Sequence, residues 1–163
     1  MSAFLANDIL RLWRTFCVNY EARTAKDPPE AKAKRKLKNY KLKHSRLLTC
    51  YSALLYLLAI SRARGTVGPE QATAMIGITP TERLERLRVE AALSEAHDID
   101  ELLERYERFL QVTNADEHTL IELFLNKDAS RAYLAQAYEF GDLMYAILNT
   151  IGQHSKFHRL LVV

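Results

Sequence analysis

Residues 31–64 read AKAKRKLKNYKLKHSRLLTCYSALLYLLAISRAR and contain neither glycine nor proline. Because nothing in this stretch interrupts a helix, we expect one helix of about thirty residues, roughly 45 Å long at 1.5 Å per residue. Its first half is basic, whereas residues 47–60 are apolar on almost every side. A helix that is apolar all round is usually buried, so the second half is expected to run through the core.

A second long helix is predicted at the N-terminus. Apolar side chains recur there at spacings of three and four, which marks one face of an amphipathic helix. They are Phe4, Leu5, Ile9, Leu12, Trp13, Phe16 and Tyr20. Pro28 and Pro29 cannot continue this helix, so they separate it from the long basic one.

The rest of the chain reads as a connector followed by more helices. Residues 62–82 hold three of the five glycines and two of the four prolines, with one short helix predicted from Pro69 to Met75. Later helices are predicted to begin near Pro80, at Asp98 or Asp100, at Asp116 and at Asp128. One apolar side of the second of these helices is expected to hold Leu102, Leu103, Tyr106, Phe109 and Leu110.

These patterns predict an all-α fold, a helical bundle with two long N-terminal helices and several shorter helices. No strand-like alternation longer than about four residues and no internal repeat is present. With 163 residues, 48% of them hydrophobic, the chain has the length of one domain. We divide this single helical domain, residues 1–163, into a helical pair (1–62), a connector (63–81) and a helical remainder (82–163).

Composition narrows the functional classes. The formal net charge of +3 is too small to identify a nucleic-acid binder by itself. Cys17 and Cys50 lie in apolar stretches, which is typical of buried thiols in a reducing compartment, and two cysteines cannot supply a four-thiolate zinc site. No signal peptide is recognisable, and the apolar run at 47–60 is too short to span a bilayer. We expect a soluble, cytoplasmic protein with no membrane partner.

No catalytic motif is present: the chain lacks a P-loop, G-x-G-x-x-G, H-E-x-x-H and G-x-S-x-G. Asp98 and Asp100 have a D-x-D spacing, but carboxylates at a helix start serve the helix dipole. His154 and His158 are four residues apart without a third ligand nearby, so a solvated basic tail is the better interpretation. We therefore assign neither catalytic nor metal-binding residues.

A row of cations on the long helix is the most informative feature. One stripe has spacings of three and four, and a neighbouring stripe adds two more cations. The first holds Lys34, Lys38, Lys41 and Ser45, and the second holds Lys43 and Arg46. Like charges so spaced destabilise a helix by a few tenths of a kcal/mol per pair. An opposing anion would offset this cost, whether from acidic side chains of another domain, nucleotide phosphates or a nucleic-acid backbone.

A solvated helix face is the simpler interpretation of such a row, especially over residues 32–38. Lys41, Ser45 and Arg46 differ because they lie where the helix is expected to enter the core. Polar groups at such a boundary usually have partners. The sequence therefore predicts an anionic partner for this end of the basic stretch.

The two N-terminal helices resemble a known family. Residues 4–21 read FLANDILRLWRTFCVNYE, and residues 37–55 read LKNYKLKHSRLLTCYSALL. Together they resemble the helical region that follows the catalytic domain in bacterial nucleotidyltransferases of the DNA polymerase β type. The positions that carry the resemblance are Asn7, Asp8, Arg11, Trp13, Arg14, Thr15, Lys38, Asn39, Lys41, Leu42, Lys43, Ser45 and Arg46. It covers residues 4–58, about a third of the chain.

This resemblance implies a binding part without a catalytic part. In such enzymes the catalytic domain supplies a Gly-Ser pair and carboxylates that hold two magnesium ions, and it would precede Phe4. The chain, which starts at Met1, is then the nucleotide- or acceptor-binding part of a nucleotidyltransferase, binding no cofactor alone and Mg-nucleotide with its catalytic domain or subunit. The implied nucleotide- or phosphate-binding residues are Lys38, Lys41, Ser45 and Arg46. The implied domain-docking or substrate-facing residues are Asp8, Arg11, Trp13 and Arg14.

Other functions remain open from the sequence. A stand-alone helical module could bind nucleic acid or an acidic protein through the basic helix. A complete enzyme would use polar clusters such as Tyr138, Asp142 and Tyr145, or His97 with Asp98, although tyrosines in these positions are commoner as the edge of an aromatic core. An oligomerisation or scaffold protein, including a homo-oligomer, is the last alternative.

Overall fold

The structure is a computed structural model that describes residues 3–21, 28–90, 93–153 and 155. Within those residues every regular element is a helix and no strand occurs. The predicted all-α helical bundle is confirmed.

Eight α-helices and one short π-helical segment make up the described part of the chain. They are α1 (Ala3–Glu21), α2 (Pro29–Lys41), the π segment (Leu42–Arg46), α3 (Leu47–Arg64), α4 (Pro69–Ile76), α5 (Pro80–Glu90), α6 (Leu93–Thr113), α7 (Glu117–Leu125) and α8 (Lys127–Gly152). With 21 and 26 residues, α6 and α8 are longer than α1, which has 19.

The long helix predicted from its lack of glycine and proline is present. α2, the π segment and α3 follow one another without a break from Pro29 to Arg64. Pro29 starts the helix, where a missing N–H costs nothing. Gly65 ends it in the left-handed conformation, with φ at 75°, and its N–H donates to the Ser61 carbonyl oxygen at 2.9 Å. The sequence did not predict the π segment.

α3 is the centre of the larger of two core clusters. Seven of its apolar side chains are at most 5% exposed: Leu48, Cys50, Ala53, Leu54, Leu55, Leu57 and Leu58. Buried residues of α1, α4, α5, α6 and α8 pack around them. The prediction that this half of the long helix runs through the core is confirmed. Cys50 is buried and Cys17 is half-buried, and neither forms a disulfide.

A smaller, aromatic cluster lies around α2. Ala33, Leu37 and Tyr40 of α2 pack there against Phe109 of α6, Phe124 of α7 and further residues of α7 and α8. The Tyr40 ring centroid lies 5.3 Å from that of Phe109 and 5.6 Å from that of Phe124. The long helix therefore passes from an aromatic cluster into an aliphatic one, and the π segment lies at the junction.

Several helix boundaries agree with the sequence prediction. The connector contains α4, close to the predicted short helix. Asp116 caps α7, because its Oδ1 accepts from the Thr119 N–H at 3.1 Å. Asn126 caps α8, since its Oδ1 accepts from the N–H groups of Asp128 and Ala129, both at 3.0 Å.

The predicted start of α6 is wrong. This helix begins at Leu93, so Asp98 and Asp100 lie inside it rather than at its first turn. Asp100 is accommodated there because Arg88 of α5 donates to it, with 2.7 Å between Nη1 and Oδ1. An aspartate with a partner on a neighbouring helix does not need to cap its own.

Three side chains of the predicted apolar faces are exposed. Phe4 and Leu12 on α1 are 83% and 45% exposed, and Leu110 on α6 is 48% exposed. α1 packs through the side that carries Ala6, which is buried, and this turns Phe4 and Leu12 outward. Apolar spacing identified the helix correctly but not the whole of its buried face.

In the described part of the chain, no helix is both long and apolar enough to cross a membrane. His154 and His158, predicted to belong to a solvated basic tail, lie outside the described residues.

Candidate anion-binding cleft

A cleft of about 580 Å³ opens between α1, the α2–π junction and α6. Its walls are formed by Phe16, Asn19, Tyr20, Lys38, Lys41, Leu42, Ser45, Arg46, Tyr106, Phe109, Leu110 and Thr113. All four residues predicted to bind phosphate, namely Lys38, Lys41, Ser45 and Arg46, are therefore brought together in one cleft. The exposed Leu110 is also part of its wall.

The charge in this cleft is entirely positive. Lys38, Lys41 and Arg46 contribute cations, and none of the described residues that line the cleft is acidic. In the described part of the chain, none of these three has a carboxylate oxygen within 4.0 Å. Three cations that share a concave surface without a carboxylate attract anions from solution.

Lys34 shows what the same stripe looks like outside the cleft. Its Nζ lies 3.6 Å from a Glu30 carboxylate oxygen and 3.9 Å from one of Glu117. Lys34 does not line the cleft, although it lies on the same stripe as Lys38. The predicted stripe is thus divided into an internally paired end and an end that faces the cleft.

Aromatic rings form much of the remaining wall. Phe16 and Tyr20 of α1 face Tyr106 and Phe109 of α6 across the basic helix. The guanidinium carbon of Arg46 lies 5.1 Å from the centroid of the Phe16 ring, a cation–π distance that holds the guanidinium beside an aromatic surface. Rings of this kind offer flat surfaces on which a nucleobase can stack.

The π segment contributes Leu42, Ser45 and Arg46 to the wall of the cleft. The N–H of Leu47 donates to the carbonyl oxygen of Leu42, five residues earlier, so this turn holds more residues than an α turn. The sequence had placed Lys43 and Arg46 on one stripe beside the first, and this is wrong. Arg46 lines the cleft with Lys38, whereas Lys43 lies over the ring of Tyr138, 3.7 Å from Nζ to the centroid.

His44 anchors the π segment from the inside. It is 2% exposed, and its ring stacks on Phe109 at 4.7 Å with an angle of 5° between the planes. Nδ1 lies 2.9 Å from the Tyr40 carbonyl oxygen, which can only accept, so Nδ1 carries the proton. Burial lowers the pKa of His44 to about 4, and the bond to Tyr40 only partly opposes this shift. The imidazole is therefore neutral at neutral pH.

Sequence reasoning did not single out His44, because it lies in a run dominated by lysines and an arginine. The signal that could have found it is its position. It follows Tyr40 by four residues, on the side of the helix that leads into the apolar half.

The four residues predicted to dock a domain or face substrate are divided by the structure. Asp8, Arg11 and Arg14 are exposed on α1, with 3.5 Å between Arg11 Nη1 and Asp8 Oδ1. Trp13 is half-buried and packs edge-on against Tyr51, 5.9 Å between ring centroids. None of the four lines the cleft.

A separate domain that docks on α1 would need an apolar patch there, and the structure shows a mixed surface instead. Phe4, Leu12 and Val18 are exposed, but Asp8 and Arg11 lie between them on the same side of the helix. Single apolar side chains among charged ones are common on protein surfaces.

The alternative enzyme sites are brought together only in part. Tyr138 and Asp142 line a cavity beside Trp13, whereas Tyr145 does not line it. His97 is exposed and Asp98 half-buried on α6. Among the described residues no group of three or more His, Cys, Asp or Glu side chains could hold a metal ion.

No protein-family model matches the chain, and neither a curated protein nor a solved structure is detectably similar to it. The resemblance to nucleotidyltransferases stays a prediction from the two helical motifs.

Proposed function

We propose that this chain is the non-catalytic, nucleotide- or acceptor-binding part of a nucleotidyltransferase and acts with a separate catalytic domain. The observation that carries this proposal is the cleft, where four aromatic rings meet three cations that have no carboxylate partner among the described residues. A nucleotide needs both features, because its phosphates require positive charge and its base requires a flat apolar surface. The resemblance of α1 and α2 to the helical part of these enzymes supports the same class.

Each cleft residue has a role in this proposal. Arg46 binds phosphate oxygens in a bidentate manner, since its planar guanidinium presents paired N–H donors. Lys38 and Lys41 supply point charges on the same side of α2. Ser45 adds a hydroxyl donor one turn beyond Lys41. The rings of Phe16 and Tyr106 flank the space in which a base can stack.

The cleft does not fit a magnesium site of its own. Mg²⁺ is bound through oxygen ligands, usually carboxylates together with phosphates and water. Among the described residues that line the cleft none is a carboxylate, and three are cations that would repel the ion. In this proposal the catalytic domain holds the metal, and this chain contributes phosphate and base contacts alone.

Calorimetric titration with ATP and Mg-ATP tests the proposal. Arg46→Gln should weaken binding about 10-fold or more, because a hydrogen bond to a charged group contributes about 1.5–3 kcal/mol. Lys38→Gln should weaken it as well. Lys34→Gln is the matched control, since it removes the same charge from the same stripe outside the cleft.

Two results would contradict the proposal. One is no heat of binding with ATP or Mg-ATP at millimolar concentration. The other is an equal loss of affinity in Lys34→Gln and Arg46→Gln, which would mean that only the net charge of α2 matters.

The exposed lysines of α2 favour a second function, a stand-alone module that binds nucleic acid or an acidic protein. Lys32, Lys36, Lys38 and Lys41 are all exposed. Binding by such a surface works mainly through counterion release, so affinity should fall steeply as salt rises. A gel shift with single-stranded nucleic acid at low and moderate salt tests it, and binding that does not change with salt rejects it.

A further inference from the structure

A second cation-lined cavity lies on the other side of α2, between α2, α7 and the start of α8. Its volume is about 380 Å³. Its lining residues are Lys36, Asn39, Tyr40, Phe124, Lys127, Ser130, Arg131 and Leu134. It shares no lining residue with the cleft described above. Because Lys36 and Lys38 are two positions apart on a helix, they project to nearly opposite sides.

The charge distribution in this cavity is unfavourable without an anion. Lys36, Lys127 and Arg131 line it, and none of the described lining residues is acidic. Within the described residues, none of these three cations has a carboxylate oxygen within 4.0 Å. Lys127 and Arg131 are like charges four residues apart on α8, a spacing that destabilises a helix. Lys127 is moreover the first residue of α8, where the helix dipole disfavours a positive charge.

Two buried residues that line the same cavity carry hydroxyl groups. Ser130 is 5% exposed and Tyr40 is 2% exposed. Among the described residues, neither hydroxyl has a hydrogen-bond partner within 3.5 Å. In contrast, every described side-chain oxygen or nitrogen that is fully shielded from solvent has a hydrogen-bond partner. Both hydroxyl oxygens must therefore reach open space, and the cavity that these residues line provides it.

We propose that this cavity binds the phosphate group of a phosphomonoester. Phosphate oxygens accept hydrogen bonds, which suits the hydroxyl donors of Tyr40 and Ser130 and the amide of Asn39. A phosphomonoester carries nearly two negative charges at neutral pH, which offsets the charge of the three cations. Phe124 and Leu134 supply an apolar wall for the carbon part of the ligand.

Two kinds of ligand could carry this phosphate group into the cavity. A free sugar phosphate would fit within a cavity of this size, which lies in the range of small-molecule sites. The terminal phosphate of a nucleic-acid strand would present the same group, with the strand running out into solvent. Because the cleft and the cavity share no lining residue, this site stands or fails independently of the proposed function.

The test is calorimetric titration of the full chain with two matched probe pairs. Ribose 5-phosphate against ribose reports a free phosphomonoester, and a 5′-phosphorylated trinucleotide against its unphosphorylated form reports a strand end. We expect at least one phosphorylated probe to bind and its unphosphorylated partner to bind at least about 10-fold more weakly. Which probe binds more tightly identifies the source.

Variants locate the binding site. Ser130→Ala and Arg131→Gln should each weaken the phosphorylated probe about 10-fold. Arg86→Gln removes one exposed cation from α5 and should have no effect, and Arg46→Gln in the cleft should have none either. Melting followed by circular dichroism shows whether each variant folds.

Three outcomes overturn the proposal. They are no binding of either phosphorylated probe at millimolar concentration, equal losses in Arg131→Gln and Arg86→Gln, and a loss in Arg46→Gln without one in Ser130→Ala. The last result would assign the phosphate to the cleft and not to this cavity.

Discussion

α2 and α3 belong to one continuous helix but have different surroundings. α3 carries no charge from Leu47 to Ser61, and eight of its 18 side chains are buried, all between Leu48 and Leu58. α2 carries lysines on several sides and buries a narrow stripe of Ala33, Leu37 and Tyr40. The two halves of this one helix therefore have different roles. α3 stabilises the bundle, whereas α2 presents charge to the cavities on either side of it.

The largest expected effect lies in α3. Leu54 is fully buried in the aliphatic cluster, so Leu54→Ala should lower the free energy of unfolding by about 3 kcal/mol, from lost transfer energy and the cavity left behind. Lys32→Ala on the exposed side of α2 should change it by less than about 0.5 kcal/mol. Urea unfolding followed by circular dichroism measures both. Similar losses in the two variants would mean that the two halves do not differ in this way.

The π segment between α2 and α3 contains His44, which should make the stability of the fold depend on pH. The pKa of His44 falls from an ordinary 6.5 to about 4 in the folded chain, chiefly through burial. Between these values the unfolded chain binds the proton and the folded chain does not. The contribution is therefore complete above pH 6.5 and is lost as the pH falls toward 4, by about 3 kcal/mol in total.

His44→Gln isolates this effect, because glutamine does not titrate and keeps a donor for the Tyr40 carbonyl. Unfolding free energies of both proteins at several pH values from 7 to 4 give the difference. All other titratable groups are the same in both proteins, so the difference between them reports His44. Parallel curves would show that His44 is not held neutral by its surroundings.

Sequence reasoning predicted the fold because its signals were local. The absence of glycine and proline from residues 31–64 indicated the long helix, and the unbroken apolar run at 47–60 indicated its buried half. Asp116 also indicated the start of α7, since a cap acts within one turn. These features depend on neighbours in the chain and on helical periodicity.

The parts that were missed depend on packing between helices. The π segment replaces an α-helical turn beside the cleft, and a fixed spacing of three and four cannot reveal it. The cavity at the start of α8 joins Lys36 to Arg131, which are distant in the sequence. Neither feature has a local signal. Spacing along one helix identified the residues of the cleft but not the rings that face them.

Removing the N-cap of α8 measures how much the start of this helix contributes to the stability of the part of the bundle around α2. Asn126 accepts from two N–H groups, and Asn126→Ala should lower the free energy of unfolding by about 1 kcal/mol. Asn126→Asp keeps an acceptor at the same place and should be close to wild type. Thermal or urea unfolding distinguishes them. A loss as large as that of Leu54→Ala would show that the part of the bundle around α2 depends on α8 as much as the aliphatic cluster depends on α3.

The smallest expected effect concerns the paired end of the stripe. Lys34 and Glu30 are both exposed, with 45% and 67% of their side chains accessible, so their attraction is screened by solvent. A double-mutant cycle with Lys34→Gln and Glu30→Gln should give a coupling below about 0.5 kcal/mol. A coupling above about 1 kcal/mol would mean that the positive charge of α2 is there for stability. A small coupling leaves the cleft and the second cavity as the places where that charge has consequences, because Lys36, Lys38 and Lys41 line them without a carboxylate partner among the described residues.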